Sequence, residues 1–295
     1  MIAVARSAAG ASVPGAARGV ACDLRDPAAT RAAIAEAQPD LVVHLAAQAN
    51  VSRSWRDPAA TLHDNVAHTL SVLEAVRAEA PAAVLVLASS GEVYGVPERL
   101  PVTEEALLRP QNPYAVSKAA TDLLGGLYAD AHGLRVVRAR AFNHAGPGQE
   151  PLYAIASFAR QVAAGLETGA DPVRVVTGSP DTRRDYTDVR DVVRAYGLLG
   201  DLGEPGVWNV CAGDTRSARE LVAALGAVCG VRVEHLVDPA LVRAHEVAEV
   251  RGSSERLRAA TGWTPAIPLE TTLADAVAHW RAEIRAGRAD PRMHE

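Results

Sequence analysis

The chain has 295 residues, with 35 acidic and 30 basic side chains, a net charge of −5 and a pI near 6.0. Hydrophobic residues make up 48% and charged residues 22%, which excludes a disordered chain and supplies a substantial core. A mildly acidic balance without a Lys/Arg block, and no apolar run of transmembrane length, exclude nucleic acid and membrane as expected partners.

Taken in chain order, Ile2–Arg6, Gly19–Leu24, Asp40–Ala47, Ala82–Ser89 and Arg135–Phe142 read as strands. Four of them are nearly continuous apolar runs, as parallel strands covered on both faces should be. Between them, Asp26–Gln38, Pro58–Ala80 and Pro113–His132 have helical periodicity. This alternation predicts an α/β fold built on a doubly wound, Rossmann-type parallel sheet. After residue 150 come helix-like Tyr153–Gly165, strand-like Val173–Thr177, helix-like Val189–Gly200, strand-like Gly206–Ala212 and helix-like Ser217–Cys229. Two helices near Ser254–Ala260 and Thr271–Arg285 end the chain. The expected organisation is a dinucleotide-binding domain over residues 1–150 and a smaller, partly interleaved substrate-binding region over 151–295. The start, MIAVARSAAG, lacks the pattern of a signal peptide, so a cytoplasmic protein is expected.

Cys22, Cys211 and Cys229 are widely spaced and form no CxxC pair, so they read as small buried hydrophobes. The nine histidines show no zinc-type spacing, and no metal is expected. Lys118 is the single lysine beside 29 arginines. A compact ammonium whose pKa shifts readily does work that a planar, permanently charged guanidinium does not.

Tyr114 and Lys118 lie four residues apart in Asn112-Pro113-Tyr114-Ala115-Val116-Ser117-Lys118, on one face of a helix that Pro113 opens. A phenol beside an ammonium becomes a usable acid or base near neutral pH. Ser89-Ser90-Gly91-Glu92 ends a buried strand, where α/β folds present reactive side chains. Ser90 would polarise a carbonyl, and Glu92 would act as a base or bind sugar hydroxyls. There is no GxSxG elbow, which disfavours a serine hydrolase.

Ser90, Tyr114 and Lys118, with His44-Leu45-Ala46-Ala47-Gln48 and Cys22-Asp23-Leu24-Arg25-Asp26, resemble the extended short-chain dehydrogenase/reductases of nucleotide sugars. Within that family, Arg140-Ala141-Phe142-Asn143-His144-Ala145-Gly146-Pro147-Gly148-Gln149 resembles the GDP-6-deoxy-D-mannose reductases. So do Arg184-Asp185-Tyr186-Thr187-Asp188-Val189-Arg190-Asp191, Trp208-Asn209-Val210-Cys211-Ala212-Gly213 and Arg243 with Glu246-Val247. The resemblance implies that Tyr114 protonates the C4 oxygen as hydride reaches C4 from a nicotinamide. It implies that Lys118 lowers the phenol pKa and binds the nicotinamide ribose, and that Ser90 holds the carbonyl. Asp23 and Leu24 would meet adenine, and Ala46 and Ala47 would let the cofactor approach. Asn143, Arg184 and Arg243 would face the nucleotide diphosphate of the sugar substrate, and a homodimer is expected through the long helices. Arg6, after the first strand, suits a 2′-phosphate and favours NADP(H) over NAD(H).

A Gly-rich turn between a first strand and helix, which would cradle the pyrophosphate, is missing near the start: Ala8-Ala9-Gly10-Ala11 leads into Pro14 rather than a helix. By the family pattern Ile2–Arg6 is the second strand, and a βα unit of roughly 30 residues is expected to be missing, either because the start is a misassigned internal one, the favoured reading, or because the chain is truncated and catalytically poor. Ala141 stands where the family usually has Pro, and Gly91 where dehydratases tend to have Ser or Asp. The expected activity is NADP(H)-dependent reduction of a GDP-4-keto-6-deoxy-hexose. A 4,6-dehydratase or 4-epimerase of the same fold, using Glu92, and a non-catalytic nucleotide-sugar binder stay open as alternatives.

Overall fold

A computed structural model describes residues 1–7, 12–242 and 247–290. Its elements run β1 (Ile2–Ala5), β2 (Arg18–Ala21), α1 (Pro27–Ala37), β3 (Leu41–His44), α2 (Val51–Arg56), α3 (Pro58–Glu79), β4 (Val84–Ser90), α4 (Pro113–His132) and β5 (Arg135–Ala141). There follow β6 (Asn143–Ala145), α5 (Ala154–Thr168), β7 (Val173–Thr177), β8 (Arg183–Asp188), α6 (Val189–Leu202) and β9 (Gly206–Val210). Last come β10 (Thr215–Ser217), α7 (Ala218–Cys229), β11 (Val233–Val237), β12 (Glu249–Val250), α8 (Glu255–Thr261) and α9 (Leu269–Arg285).

Three of the early helices start by the same chemistry. Asp26, Asp57 and Asn112 each accept a backbone N–H of the first turn, and Pro27, Pro58 and Pro113 follow at the first helical position. Proline there gives up only an N–H that has no partner inside the helix. Gly133 ends α4 at a φ of 66°, a left-handed turn that glycine adopts at little cost.

Two compact units result. The first comprises Met1–Val96, Glu104–Ala141 and Ala195–Asn209; the second comprises Pro97–Thr103, Phe142–Arg194 and Val210–Glu295. In the first unit β3, β4 and β5 pair in parallel register, with β9 next to β5. Parallel neighbours need crossovers, which α3 and α4 provide. Val72, Leu73 and Val76 of α3, Leu85 and Leu87 of β4, Val136 of β5 and Tyr128 of α4 form the core between helices and sheet. β1 and β2 make a separate parallel pair, and no described strand pairs with the other edge of β1 or of β3. The parallel doubly wound sheet therefore stands in two pieces, and Ile2, Val4, Leu41 and Val43 are exposed along it.

In the second unit β8 is central, with β10 antiparallel on one side and β12 parallel on the other, while β6 also pairs with β8 and β11 pairs with β7. Its core joins α5, α7 and α9 through Phe158, Val162, Leu221, Leu225 and Leu273. Six elements, α2, β6, β8, β10, β11 and β12, escape the hydrophobic pattern. The six residues of α2 are too few to show a period. β8 reads Arg-Arg-Asp-Tyr-Thr-Asp, and its charges hide a strand. Among the described residues no helix is long and apolar enough to cross a membrane.

His44 at the end of β3 is buried, and its Nε2 lies 3.2 Å from Thr69 Oγ1. Burial, with the Lys118 and His68 charges behind it, pulls its pKa down to about 3. The unfolded chain binds a proton there below about pH 6.5 and the folded chain does not, so stability is lost as pH falls through that window. We expect roughly 3 kcal/mol of pH-dependent loss at pH 4 from this group. Urea unfolding of His44→Gln at pH 7 and pH 4 should show that much less acid sensitivity; an unchanged pH dependence would refute it.

Candidate active site

At the end of β4 the chain passes from Ser90 into a single 3-10 turn, Gly91–Tyr94. Ser90 Oγ accepts the Glu92 N–H at 3.2 Å, which closes the turn. Asn112 does two things at once: Oδ1 caps α4 by accepting Ala115 N–H at 2.8 Å, and Nδ2 donates to Glu92 Oε2 at 3.1 Å. The start of the helix that carries Tyr114 and Lys118 is thereby tied to the turn after Ser90.

Helix α4 lies close on the sheet because of two glycines. A Cβ on Gly125 would meet Leu87 at 2.9 Å, and one on Gly126 would meet the Arg138 guanidinium at 2.8 Å. The close approach lets Lys118, itself buried, donate from Nζ to the Ala88 carbonyl at 2.5 Å. Desolvation lowers the lysine pKa to about 8, with the Asp122 charge opposing it. Tyr114 is one turn before Lys118, and its carbonyl accepts the Ser117 hydroxyl at 2.7 Å. Ser90, Glu92, Tyr114 and Lys118 thus lie on three elements joined by hydrogen bonds at the carboxyl end of β4.

Two supporting residues escaped the sequence reading. Asn65 Oδ1 accepts Gln48 N–H at 2.7 Å, and its Nδ2 donates to Gln48 O and to Ser117 Oγ, so it joins the segment after β3 to α4. Asp122, one turn beyond Lys118, is fully buried and accepts from Ser89 Oγ and from Arg140. A polar residue four positions after the single lysine was the available signal.

The other expected cofactor residues lie near the ends of β1 to β3. Arg6 is exposed after β1, and Ala46 and Ala47 follow β3 as small residues. Asp23, after β2 and beside Leu24, is gripped at both carboxylate oxygens by Arg25, which holds its pKa well below the usual range. The charges of Asp23 and Arg6 both reach His68 on α3, so these two residues share one neighbourhood. The segment Ala8–Ala11 lies outside the described residues.

In the second unit, Asn143 is opposite Tyr186 in the β6–β8 register, and its side chain hydrogen-bonds the half-buried Tyr186. The Arg184 charge also reaches Tyr186, and Arg184 Nη1 donates to the carbonyls of Val247 and Arg183 at 2.7 and 2.9 Å. Asn143 and Arg184 are therefore brought together around one phenol. Arg243 lies outside the described residues. His144 is exposed on β6, with Nδ1 3.1 Å from the Phe142 carbonyl.

A family model described as GDP-mannose 4,6 dehydratase matches residues 7–276. The chain belongs to this family. GDP-6-deoxy-D-mannose reductase from Pseudomonas aeruginosa is 42% identical over 250 residues, covering 84% of this chain and 82% of the relative. Among solved structures, RMD from Pseudomonas aeruginosa complexed with NADPH superposes with a TM-score of 0.83 at 39% identity, covering 92% of each chain. UDP-glucose 4-epimerase from Thermus thermophilus, complexed with NAD, gives a TM-score of 0.80 at 33% identity, covering 91% of this chain and 86% of that one. The family thus includes nucleotide-sugar reductases, dehydratases and epimerases, all enzymes that share the parallel α/β fold described above.

One buried carboxylate organises the part of this family fold that carries Arg184. Asp185 accepts the backbone N–H groups of Ala212, Gly213 and Gly252 at 2.9, 3.0 and 3.1 Å. Burial pushes its pKa up to about 6 against those three donors. Asp185→Asn would turn an amide N–H₂ toward backbone N–H donors. We expect a loss of about 2 kcal/mol in thermal or urea unfolding; a variant as stable as the parent would show that the three donors carry little.

Proposed function

We propose that this chain reduces the 4-keto group of a GDP-4-keto-6-deoxy-hexose to give a GDP-6-deoxy-hexose, with NADP(H) as its cofactor. The observation that carries this reading is the buried Lys118 ammonium, held at the end of β4 in a chain 42% identical to a GDP-6-deoxy-D-mannose reductase.

The residues fit a nicotinamide dinucleotide at its two ends. Lys118 has three donors and spends one on Ala88, so ribose hydroxyls can take others. Asp23 and Leu24 would meet adenine, Ala46 and Ala47 leave room for a close approach, and exposed Arg6 suits a 2′-phosphate. The NADPH complex of the Pseudomonas aeruginosa relative supports the choice of NADP(H). When bound, the cofactor supplies the hydride for C4. Ser90 accepts from Glu92 N–H, which leaves its hydroxyl hydrogen to hold the C4 oxygen. The Tyr114 phenol gives its proton to that oxygen, and the Lys118 ammonium stabilises the phenolate that remains. Asn143 and Arg184, with Arg243, are assigned to the nucleotide diphosphate, where a guanidinium fork suits phosphate oxygens.

A second copy of the chain is the expected partner. Val116, Leu123 and Leu127 are exposed on α4 at spacings of seven and four, which puts them along one helical stripe that a dimer would cover. The reaction is assigned to the cytoplasm.

Mixing the chain with NADPH and GDP-4-keto-6-deoxymannose should consume NADPH and yield a GDP-6-deoxy-hexose. A 4-keto product formed from GDP-mannose without added reductant would instead make it a dehydratase that uses Glu92. GDP-sugar binding without binding of either nicotinamide cofactor would make it a non-catalytic binder.

The Lys118 ammonium also sets a pH dependence. Its folded pKa of about 8 lies below the ordinary 10.5, so the active ammonium is lost as pH rises through 8. Over the same window the unfolded chain binds more protons, so the cost of burying this lysine shrinks. We expect kcat/KM to fall about tenfold per unit above pH 8 while the melting temperature shows no matching decline. A rate flat to pH 10 would remove Lys118 from the mechanism.

A further inference from the structure

We infer that Asp122 is a positioning residue for the reaction: by clamping the end of β4 to α4, it fixes where the Lys118 ammonium sits and holds its charge. The inference rests on the proposed role of Lys118.

The clamp has three sides. From α4, Asp122 projects one turn beyond Lys118, with its carboxylate wholly buried. From β4, Ser89 donates its hydroxyl to Oδ2 at 2.7 Å. Ser89 lies between Ala88, whose carbonyl takes the Lys118 proton donor, and Ser90. From β5, Arg140 donates through Nε and Nη2 to both oxygens at 2.9 and 2.8 Å, and Arg138 Nη1 lies 3.4 Å from Oδ1. Arg140 also stacks over the Tyr94 ring and donates to its hydroxyl at 3.0 Å, and Tyr94 in turn donates to Asn209 Oδ1 at 2.7 Å. The turn after Ser90 is thereby locked to the same carboxylate.

The charged and titratable groups around the ammonium are few. Among the described residues, Asp122 and, one turn before the lysine, Tyr114 lie on α4 and His44 on β3, while β4 presents the Ala88 carbonyl. Asp122 is itself met by Arg138 and Arg140 from β5. His44 is neutral and the two arginines are spent on Asp122, so the carboxylate is what offsets the desolvation of the lysine. A loosened site and a lost charge then act in opposite directions. Loosening would readmit water and return Lys118 toward the ordinary lysine value, whereas removing the carboxylate would drive it further down.

Lys118 is the chain's single lysine, which makes the test direct. Chain labelled with ¹⁵N-lysine gives one Nζ resonance, titrated by NMR without cofactor or substrate. We expect a parent midpoint near 8 and, in Asp122→Asn, a midpoint lower by about one pH unit. Steady-state rates should show the alkaline limb of kcat shifted down to match, and Asp122→Glu, which keeps the charge, should restore both. Removing one partner of a buried ion pair is the more damaging change. Should Asp122→Asn not fold, the double variant Asp122→Asn with Arg140→Gln removes both charges, and the same downward shift is expected. A midpoint that stays in place or rises in the folded variant would overturn the inference. Because the titration needs no turnover, an inactive parent enzyme would count against the proposed function, while the Asp122→Asn midpoint separately decides whether the carboxylate holds the Lys118 charge.

Discussion

The site at the end of β4 depends on how closely α4 lies on the sheet. Gly125 and Gly126 remove the side chains that would hold the helix away from Leu87 and Arg138. At that separation a lysine on the helix reaches a carbonyl of the strand, and Lys118 meets Ala88. The same closeness strips the ammonium of water, which lowers its pKa and gives a cation poised between two protonation states near neutral pH. An arginine in that place would stay charged and need a wider fork of acceptors. One packing distance thus sets position, solvation and acidity together.

The two units bury a carboxylate in different ways. Asp122 is paired with guanidinium groups, which hold it ionised and its pKa below the usual value despite burial. Asp185 has no cation on it among the described hydrogen bonds and ion pairs, and is met by three backbone N–H groups. Burial then outweighs the donors and its pKa rises. The first arrangement keeps a permanent negative charge, which can act on a neighbouring lysine. The second spends its acceptors on holding the loop after β9, the second residue after β12 and β8 in one place. A charged network therefore lies where chemistry is proposed, and a scaffold of backbone donors lies where Arg184 is presented.

Much of this was legible in the sequence because it is written locally. Asp-Pro and Asn-Pro pairs announce α1, α3 and α4, and apolar runs announce β3, β4 and β5. Tyr114 and Lys118 declare themselves by helical spacing. What stayed hidden depends on partners far apart along the chain. Asn65 acts through Gln48 and Ser117, which are 17 and 52 residues away. Asp122 acts through Ser89, 33 residues earlier. β8 carries charge because Arg183, Arg184 and Asp185 find their partners on other segments: Thr215 and Glu220 for Arg183, Val247 for Arg184, and Ala212, Gly213 and Gly252 for Asp185. A pattern rule that scores hydrophobicity within one segment has no access to such pairings.

Family membership narrows the chemistry less than the turn after Ser90 does. Tyr114 and Lys118 serve any reaction in which hydride and proton move together at one carbon and its oxygen. Reduction needs one proton, and the phenol supplies it. Dehydration needs a further base to take a proton from carbon, and Glu92 is the group placed after Ser90 for that work. Here Glu92 Oε2 accepts from Asn112, whose other amide atom caps α4. The carboxylate is thus part of the joint that seats the helix, and moving it to follow a proton would disturb the cap beside Tyr114. A group held as a strut suits the recognition of sugar hydroxyls better than it suits shuttling protons, and this favours reduction over dehydration.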